Sequence, residues 1–445
     1  MKRVITLILT LILVGVAPCA DVVARNREKQ RREVLAQGRG YYKDVFMNGG
    51  INLSSRRSLP STRYLGLTME YFATAPTAKM TKRDTLLQAR VFCGYSGDTN
   101  GPLLYPDGEP RFRMVYFNGG GAARHGASLT IDGRTTLRQY FANGGSYVGS
   151  CAGAFIASKG AISSKDLSIA HVDSYLNLWP GTTRSTGLSD SRTAMLLEKR
   201  SPLLRYFDFG GDGLVDSIYH NNGCYVYNEK NGIVPAGTEA LSRYVFENTE
   251  KVKIDGRVGT WAYKANAQSG RVVVTGSHPE GITKGERLEY MSAMVLYALD
   301  GNGEPEVKGE LKSGEVREMN KRTEDNDPAY TRIGDRQYHH FVANLPKKCK
   351  RLVISLNGYK GENSFDLTLC AKRGEMAFHD NTLQKVVSQG CKKSLVIDNP
   401  KAGEWYVSVF CETTVIATDG EYGTEYSGRT EVLNGVPYSI KVEYE

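Results

Sequence analysis

Cys151 is the residue whose surroundings in the sequence most strongly indicate chemistry. It lies in residues 144–158, GGSYVGSCAGAFIAS, between a segment that predicts a strand and a segment that predicts a helix. Glycines at 149 and 153 remove the side chains that would collide at a sharp strand-to-helix turn. The N-terminus of the following helix points at the sulfur and favours the thiolate. The pattern predicts a nucleophilic cysteine, with the backbone N–H of Ala152 as an oxyanion donor.

A base for this thiol is predicted in residues 271–281, RVVVTGSHPEG. An apolar run predicts a strand that ends at His278, and Glu280 follows two residues later. Extended backbone projects both side chains to one side, so the carboxylate can hold the second nitrogen of the imidazole. Cys151, His278 and Glu280 are therefore predicted to act together. The rival bases, none of which follows a buried strand with an acid at this spacing, are His125, His171 and His220.

The elements that must position these residues are predicted between about 85 and 300. Apolar, β-branched runs at 86–94 and 112–117 stop at glycine-rich turns, as buried strands do. Helical spacing is seen at 135–142 and 285–299. Further strands are predicted at 146–150, 217–220, 240–246, 259–265 and 271–275. Such alternation indicates an α/β domain with a parallel sheet and crossover helices.

Two motifs of this region, GSCAG at 149–153 and SHPE at 277–280, are similar to those of the class I glutamine amidotransferase-like superfamily. YFNGGGA at 116–122 and IYHNNGCYV at 218–226 most resemble its biotin-protein ligase N-terminal domain group.

The resemblance implies a three-layer, flavodoxin-like domain over 85–300. It implies that Cys151 is the nucleophile, His278 the base and Glu280 its partner, and that the turn at Gly119 and Gly120 lends a second oxyanion N–H. Biotin transfer is not implied, because the ligase's catalytic and cap domains have no counterpart in this sequence.

The pattern changes after residue 300. Residues 301–327 are rich in Gly, Glu and Lys, as expected of a linker. Residues 328–445 contain short alternating strands with Gly, Asn and Pro turns, which predict an antiparallel β-sandwich. Their segments 339–358, 365–369 and 399–410 resemble the bacterial pre-peptidase C-terminal domain.

The N-terminus predicts export. Residues 1–20 combine a short basic start with an apolar run and small residues suited to cleavage near Ala20 or Ala24. The apolar run of this signal peptide, at about 13 residues, is shorter than the roughly 20 apolar residues that a membrane span needs. Residues 21–84 are interpreted as a basic leader and N-terminal extension, because 25–57 carries nine Lys or Arg and three acids.

The charge and the cysteines are consistent with that interpretation. Most of the net charge of +9 lies in the basic leader, so nucleic acid is not predicted as the main partner. Of eight cysteines, one lies in the signal peptide and Cys151 is the nucleophile, so six are available for disulfides. Four of these lie after residue 340 and can pair in any of three ways, with Cys370 and Cys391 a plausible pair.

Two functions remain open. The first is an exported cysteine hydrolase that acts on an amide or peptide bond and requires no cofactor; no Cys-x-x-Cys or His-x-x-x-His motif supports zinc. The second is a non-catalytic binding or assembly protein that keeps the fold. The loops around 161–189 carry no recognisable specificity motif, so the identity of the substrate stays open.

Overall fold

The computed structural model of the 445-residue chain describes residues 20–48, 59–72, 100–420 and 423–445. The predicted signal peptide, apart from its last residue, and the predicted strand at 86–94 lie outside these ranges. Within them, no helix combines the length and the apolar character that crossing a bilayer requires.

Thirteen described strands precede residue 280, and six described helices lie before, among or after them. The strands are β1 (Lys43–Asn48), β2 (Met69–Phe72), β3 (Phe112–Phe117), β4 (Ser146–Ser150), β5 (Ser158–Ile162), β6 (Ile169–Ala170), β7 (Trp179–Ser185), β8 (Ser191–Leu197), β9 (Leu214–His220), β10 (Cys224–Val226), β11 (Glu239–Val245), β12 (Val258–Lys264) and β13 (Arg271–Thr275). The helices are α1 (20–36), α2 (Pro60–Tyr64), α3 (Ala122–Ser128), α4 (Thr130–Ala142), α5 (Ala152–Ala157) and α6 (Glu286–Leu299).

The C-terminal part is built almost entirely from strands. They are β14 (Val307–Glu310), β15 (Val316–Met319), β16 (Tyr338–Leu345), β17 (Arg351–Gly358), β18 (Leu367–Arg373), β19 (Lys385–Val386), β20 (Lys393–Asp398), β21 (Gly403–Cys411), β22 (Val415–Gly420), β23 (Gly423–Gly428) and β24 (Tyr438–Tyr444). One sheet has the order β14-β16-β21-β18-β19 and a second has the order β15-β24-β17-β20. All their pairings are antiparallel except that of β14 with β16. Both sheets contribute to one hydrophobic core.

The large central sheet is parallel on one side and antiparallel on the other. Its order is β22-β23-β2-β1-β3-β4-β13-β12-β11-β8-β9. Strands β2, β1, β3, β4 and β13 are parallel neighbours, whereas β13 to β9 pair antiparallel. The prediction of a parallel sheet is therefore correct only for the first side. The connection between β12 and β13 spans residues 265–270, which is too short for the crossover that a parallel pair requires.

Both faces of the parallel side are covered. Alternate residues of β3 enter different cores: Met114 and Tyr116 pack on the α6 side, and Val115 and Phe117 pack on the side of α4 and α5. This is the period-two alternation of a strand buried on both faces. A small second sheet, in the order β10-β7-β5-β6, supplies Trp179 to the core on the α5 side.

Two segments interpreted above as a leader and a linker contain strands that join the sheets. Within residues 21–84, interpreted above as a basic leader and N-terminal extension, the described β1 lies between β2 and β3 in the central sheet, and Val34 of α1 is fully buried. Residues 301–327 do not form a linker, because β14 and β15 each join a C-terminal sheet. These two strands are short and mostly exposed, so their sequences lack the apolar content that marked the others.

All six cysteines in the described part of the chain are free, as predicted for Cys151, so the predicted disulfides are wrong for the other five. Cys370 lies in β18, where Ser408 of β21 is its cross-strand partner. Cys391 donates instead to the carbonyl of Phe365, at 3.3 Å. Burial raises the pKa of the Cys370 thiol to about 12 and that of Cys391 to about 11, which keeps both protonated.

A buried ion pair connects the two parts of the chain. Arg111, just before β3, donates to both carboxylate oxygens of Asp335, at 2.9 and 3.0 Å. The same guanidinium donates to the hydroxyl of Tyr426 in β23 and lies 3.7 Å from the ring centroid of Tyr42. Because β23 also pairs with β2, backbone and side-chain contacts both fix the C-terminal part to the central sheet.

We expect Arg111→Met to lower the free energy of unfolding by about 3–5 kcal/mol, because it leaves the Asp335 carboxylate buried without its counter-ion. Urea unfolding followed by tryptophan fluorescence measures this change. The exposed pair of Arg351 with Asp398 provides the control, since Arg351→Met should cost about 1 kcal/mol or less. Equal losses for the two variants would contradict the structural role of the buried pair.

Candidate active site

Cys151 lies at the junction of β4 and α5 in a conformation that few residues other than glycine adopt. Its φ is 48° and its ψ is −104°. Its N–H donates to the carbonyl of Thr275 in β13, at 2.9 Å. A Cβ atom on Gly149 would lie 2.6 Å from the carbonyl carbon of Gly153, and one on Gly153 would lie 2.2 Å from the oxygen of Phe117. The two flanking glycines are therefore required by close backbone contacts, and the strain of order 1–3 kcal/mol presents the sulfur at the tip of the turn.

His278 and Glu280 follow the carboxyl end of β13. Nδ1 of His278 lies 2.8 Å from Oε1 of Glu280, which leaves the other ring nitrogen to hydrogen-bond with Cys151. Ser150 and Thr275 are register partners in the parallel pair of β4 and β13. Cys151 and His278 therefore extend from the same edge of the sheet, and the structure brings the three predicted triad residues together.

The surroundings of His278 favour its positively charged form. Burial by itself lowers the pKa of the imidazole, but its hydrogen bonds to Cys151 and Glu280 and the charges of those groups raise the pKa to about 10. An imidazolium that faces the sulfur stabilises a thiolate and can donate a proton to a leaving group. The residue Cys151 is 5% exposed, and the carbonyl of Asn221 lies 3.9 Å from its Sγ.

The predicted oxyanion residues surround the turn. Ala152 is the first residue of α5, so its N–H has no acceptor within its own helix. Gly119 and Gly120 follow β3, and the N–H of Gly153 donates to the carbonyl of Asn118, at 3.1 Å. A Cβ atom on Gly119 would lie 2.2 Å from Cε1 of His278. Gly119 is therefore in direct contact with the imidazole.

A chain of buried hydroxyls supports the segment that carries His278. Ser277 bonds to Thr275 at 2.8 Å, and Thr260 donates to Thr275 at 2.9 Å. Tyr290 of α6 continues the chain by hydrogen-bonding with Thr260 and Ser242. These bonds connect the residue before His278 to three strands and a helix, and so restrict its movement.

The sequence analysis named His220 as a rival base but did not place residues 218–221 at the site, where they form one wall. The N–H of His278 donates to the carbonyl of Tyr219, at 2.9 Å. His220 is fully buried, and its Nε2 lies 2.7 Å from Oγ1 of Thr193. Burial and the positive charge of His278 lower the pKa of His220 to about 3, so this rival base is neutral. The motif IYHNNGCYV was the available signal, although it did not indicate which atoms face the thiol.

The two other rival bases contact different aromatic residues. His125 packs against Phe117, with ring centroids 5.2 Å apart, and His171 stacks on Tyr175 at 5.6 Å. Across the described ranges, no group of three or more His, Cys, Asp or Glu residues could hold a metal ion.

Residues 108–297 match the family model described as biotin-protein ligase, N terminal, which confirms the predicted resemblance for this region. A crystal structure of a glutamine amidotransferase is similar with a TM-score of 0.33 and 12% identity, covering 56% of this chain and 98% of that chain. A carbohydrate deacetylase is similar with a TM-score of 0.33 and 8% identity, covering 63% of this chain and 36% of that chain. A periplasmic inhibitor of g-type lysozyme from Aeromonas hydrophila has a TM-score of 0.17 and 13% identity, covering 25% of this chain and 80% of that chain. No curated protein matches this sequence.

We expect Gly119→Ala to lower the rate at which iodoacetamide alkylates Cys151 by about 100-fold, because the new methyl group would displace the imidazole of His278. Mass spectrometry of the labelled peptide measures this rate. Gly281→Ala is the matched control, since a Cβ at Gly281 meets no atom within 4 Å. An unchanged alkylation rate in Gly119→Ala would show that the position of His278 does not control the reactivity of the Cys151 thiol.

We expect Glu280→Gln to lower the pKa of His278, because it removes the carboxylate charge that favours the imidazolium. Histidine ring chemical shifts, followed by NMR as the pH is raised, measure the titration. In the unchanged protein the ring should stay charged until the pH approaches about 10. This proton contributes stability fully below the unfolded value of about 6.5, and the contribution is lost as the pH rises towards about 10. An identical titration in Glu280→Gln would contradict the assigned role of Glu280.

Proposed function

We propose that this protein is an exported cysteine hydrolase that cleaves an amide or peptide bond through Cys151, His278 and Glu280. The observation that carries the proposal is the strained turn that presents Cys151 to an imidazole held by a carboxylate. A structural cysteine needs neither the strained backbone nor the charged partner. The match of residues 108–297 to the biotin-protein ligase N-terminal family is consistent with this assignment.

In the proposed first half-reaction, the Cys151 thiolate attacks the carbonyl carbon of the substrate. The carbonyl π electrons move to the oxygen, and the N–H groups of Ala152 and of the turn at Gly119 and Gly120 stabilise the oxyanion. The imidazolium of His278 gives its proton to the departing amine as the carbon–nitrogen bond breaks. The products are an amine and a thioester on Cys151.

The second half-reaction hydrolyses the thioester. His278 is now neutral and takes a proton from water, and the resulting hydroxide attacks the thioester carbon. The carbon–sulfur bond breaks, which releases the carboxylic acid and restores the pair of thiolate and imidazolium. Glu280 keeps the imidazole oriented and balances its charge in both steps.

Export is part of the proposal because it accounts for residues 1–20. The predicted cleavage positions near Ala20 and Ala24 fall in the exposed first turns of α1. Cleavage at either position would leave the packed part of the helix in place, including the bond from Arg31 to the carbonyl of Tyr206. The mature protein would therefore keep the contacts that fix α1 to the core.

The alternative is a non-catalytic binding or assembly protein. The observation that favours it is the low exposure of Cys151, at 5%, which limits access to the sulfur. In such a protein the turn at Cys151 would be part of the retained fold and would not catalyse a reaction.

Labelling and turnover separate the two functions. If the hydrolase proposal is correct, iodoacetamide labels Cys151 selectively, and a library of peptides and amides contains substrates that Cys151→Ala does not cleave. His278→Ala should slow labelling by about 100-fold or more, whereas the matched variant of an exposed rival, His171→Ala, should not. An unreactive Cys151, or substrate cleavage that persists in Cys151→Ala, would contradict the hydrolase proposal.

A further inference from the structure

A row of three side chains leads away from the catalytic imidazole. His278 pairs with Tyr219 in an isolated antiparallel bridge, and Tyr219 pairs with Arg192 in the β8–β9 register. Residues directly opposite each other in antiparallel pairs project to the same face. The rings of Tyr219 and His278 are 5.7 Å apart, and the guanidinium of Arg192 lies 5.9 Å from the ring of Tyr219. The guanidinium is therefore at most 11.6 Å from the imidazole, as the sum of 5.7 and 5.9 Å.

A second arginine reaches the same place from α6. Nη1 of Arg192 and Nη1 of Arg287 both donate to the carbonyl of Ser217, at 2.9 and 3.1 Å. The two nitrogens are consequently no more than 6.0 Å apart, as the sum of 2.9 and 3.1 Å. Ser217 has a φ of 57°, an uncommon value within a strand. We call Arg192 and Arg287 the arginine pair.

The charges of the arginine pair are not balanced by an ion pair within the described residues. Asp190 and Glu286, each close in sequence to one of these arginines, have other contacts. Asp190 hydrogen-bonds with the hydroxyl of Tyr219. Desolvation and the charge of this carboxylate raise the pKa of Tyr219. Glu286, beside Arg287 in sequence, is directed towards Gly210. Two converging guanidinium groups without a carboxylate partner attract an anion, and the planar forks of arginine fit a carboxylate.

We propose that the arginine pair binds a carboxylate of the substrate, so that the hydrolase acts on acidic amides or peptides. This proposal rests on the proposed function, because it assigns the specificity of the same site. The carboxylate would lie beyond Tyr219, within about 12 Å of the imidazole, while Cys151 attacks the scissile carbonyl. The arginines bind and orient, and neither takes part in bond breaking.

Matched alkylating reagents test this proposal without knowledge of the natural substrate. The probes are N-chloroacetyl derivatives of glycine, β-alanine, γ-aminobutyrate and ε-aminocaproate, each used beside its uncharged methyl amide. All of them alkylate a thiolate with loss of chloride, and they differ in the distance from the reactive carbon to the carboxylate. The readout is the ratio of the charged to the uncharged rate at Cys151, measured by mass spectrometry on the full chain.

We expect this ratio to be largest at one spacer length. At that length it should be about threefold above its value in a variant that lacks both arginines, because the attraction between two unit charges about 6 Å apart in water is about 0.7 kcal/mol. Arg192→Ala and Arg287→Ala should each lower it, Arg192→Lys should retain part of it, and high salt should reduce it. Arg351→Ala, which removes an exposed arginine of the C-terminal part, should leave it unchanged. Because the ratio is taken within each variant, general changes in thiol reactivity cancel.

Two failures can be told apart. In the first, Cys151 reacts with the uncharged reagents, but the ratio of charged to uncharged rates is the same in the unchanged protein and in Arg192→Ala/Arg287→Ala. The arginine pair then does not bind the substrate carboxylate, and this inference is overturned. If Cys151 reacts with none of the reagents, the proposed function itself fails, and the inference fails with it.

Discussion

The in-register parallel pairing of β4 with β13 is the constraint on which the candidate site depends. It places Ser150 beside Thr275, and the N–H of Cys151 extends the ladder by bonding to the carbonyl of Thr275. The thiol and the imidazole are then at the same edge of the sheet, although 126 positions separate Cys151 from His278 in the chain. A shift of one residue in this register would reverse the faces of the side chains and separate the two groups.

The neighbouring elements refine this arrangement rather than create it. Glycines at 119, 149 and 153 allow backbone and imidazole to approach within distances that any side chain would prevent. The hydroxyl chain from Ser277 to Tyr290 fixes the backbone just before His278. Burial, together with the charge of the His278 imidazolium, lowers the pKa of His220, so the two histidines of the site differ in charge.

The C-terminal part is held to the central sheet by contacts that leave little freedom. A hairpin of that part, β22 and β23, covers the edge of the sheet at β2, and an exposed edge would otherwise invite pairing with another chain. Arg111 and Asp335 add a charged contact in which both side chains are buried. The arginine pair lies at the opposite end of the same sheet, on β8 and at the start of α6.

Sequence reasoning succeeded where neighbouring residues decide the local backbone geometry. The glycine frame around Cys151 and the two-residue spacing of His278 and Glu280 depend on backbone sterics and strand geometry, which a few neighbouring residues determine. The strands around 112–117, 146–150 and 271–275, and the helix around 285–299, are recognisable because their apolar periodicity is strong.

It failed where the decisive partner is distant in the chain. The basic composition around β1 suggested a leader, but the strand is stable because β2 and β3 pair with both of its edges. The linker prediction failed because edge strands such as β14 need few apolar residues. The disulfide prediction failed because the described cysteines are buried as free thiols. The sequence by itself determined the glycine-framed turn at Cys151 and the two-residue spacing of His278 and Glu280, and it predicted their catalytic roles. Only the tertiary structure decided which side of the sheet is antiparallel, that His220 is neutral and that Arg192 and Arg287 converge, because these facts depend on strand pairing and burial between segments far apart in the chain.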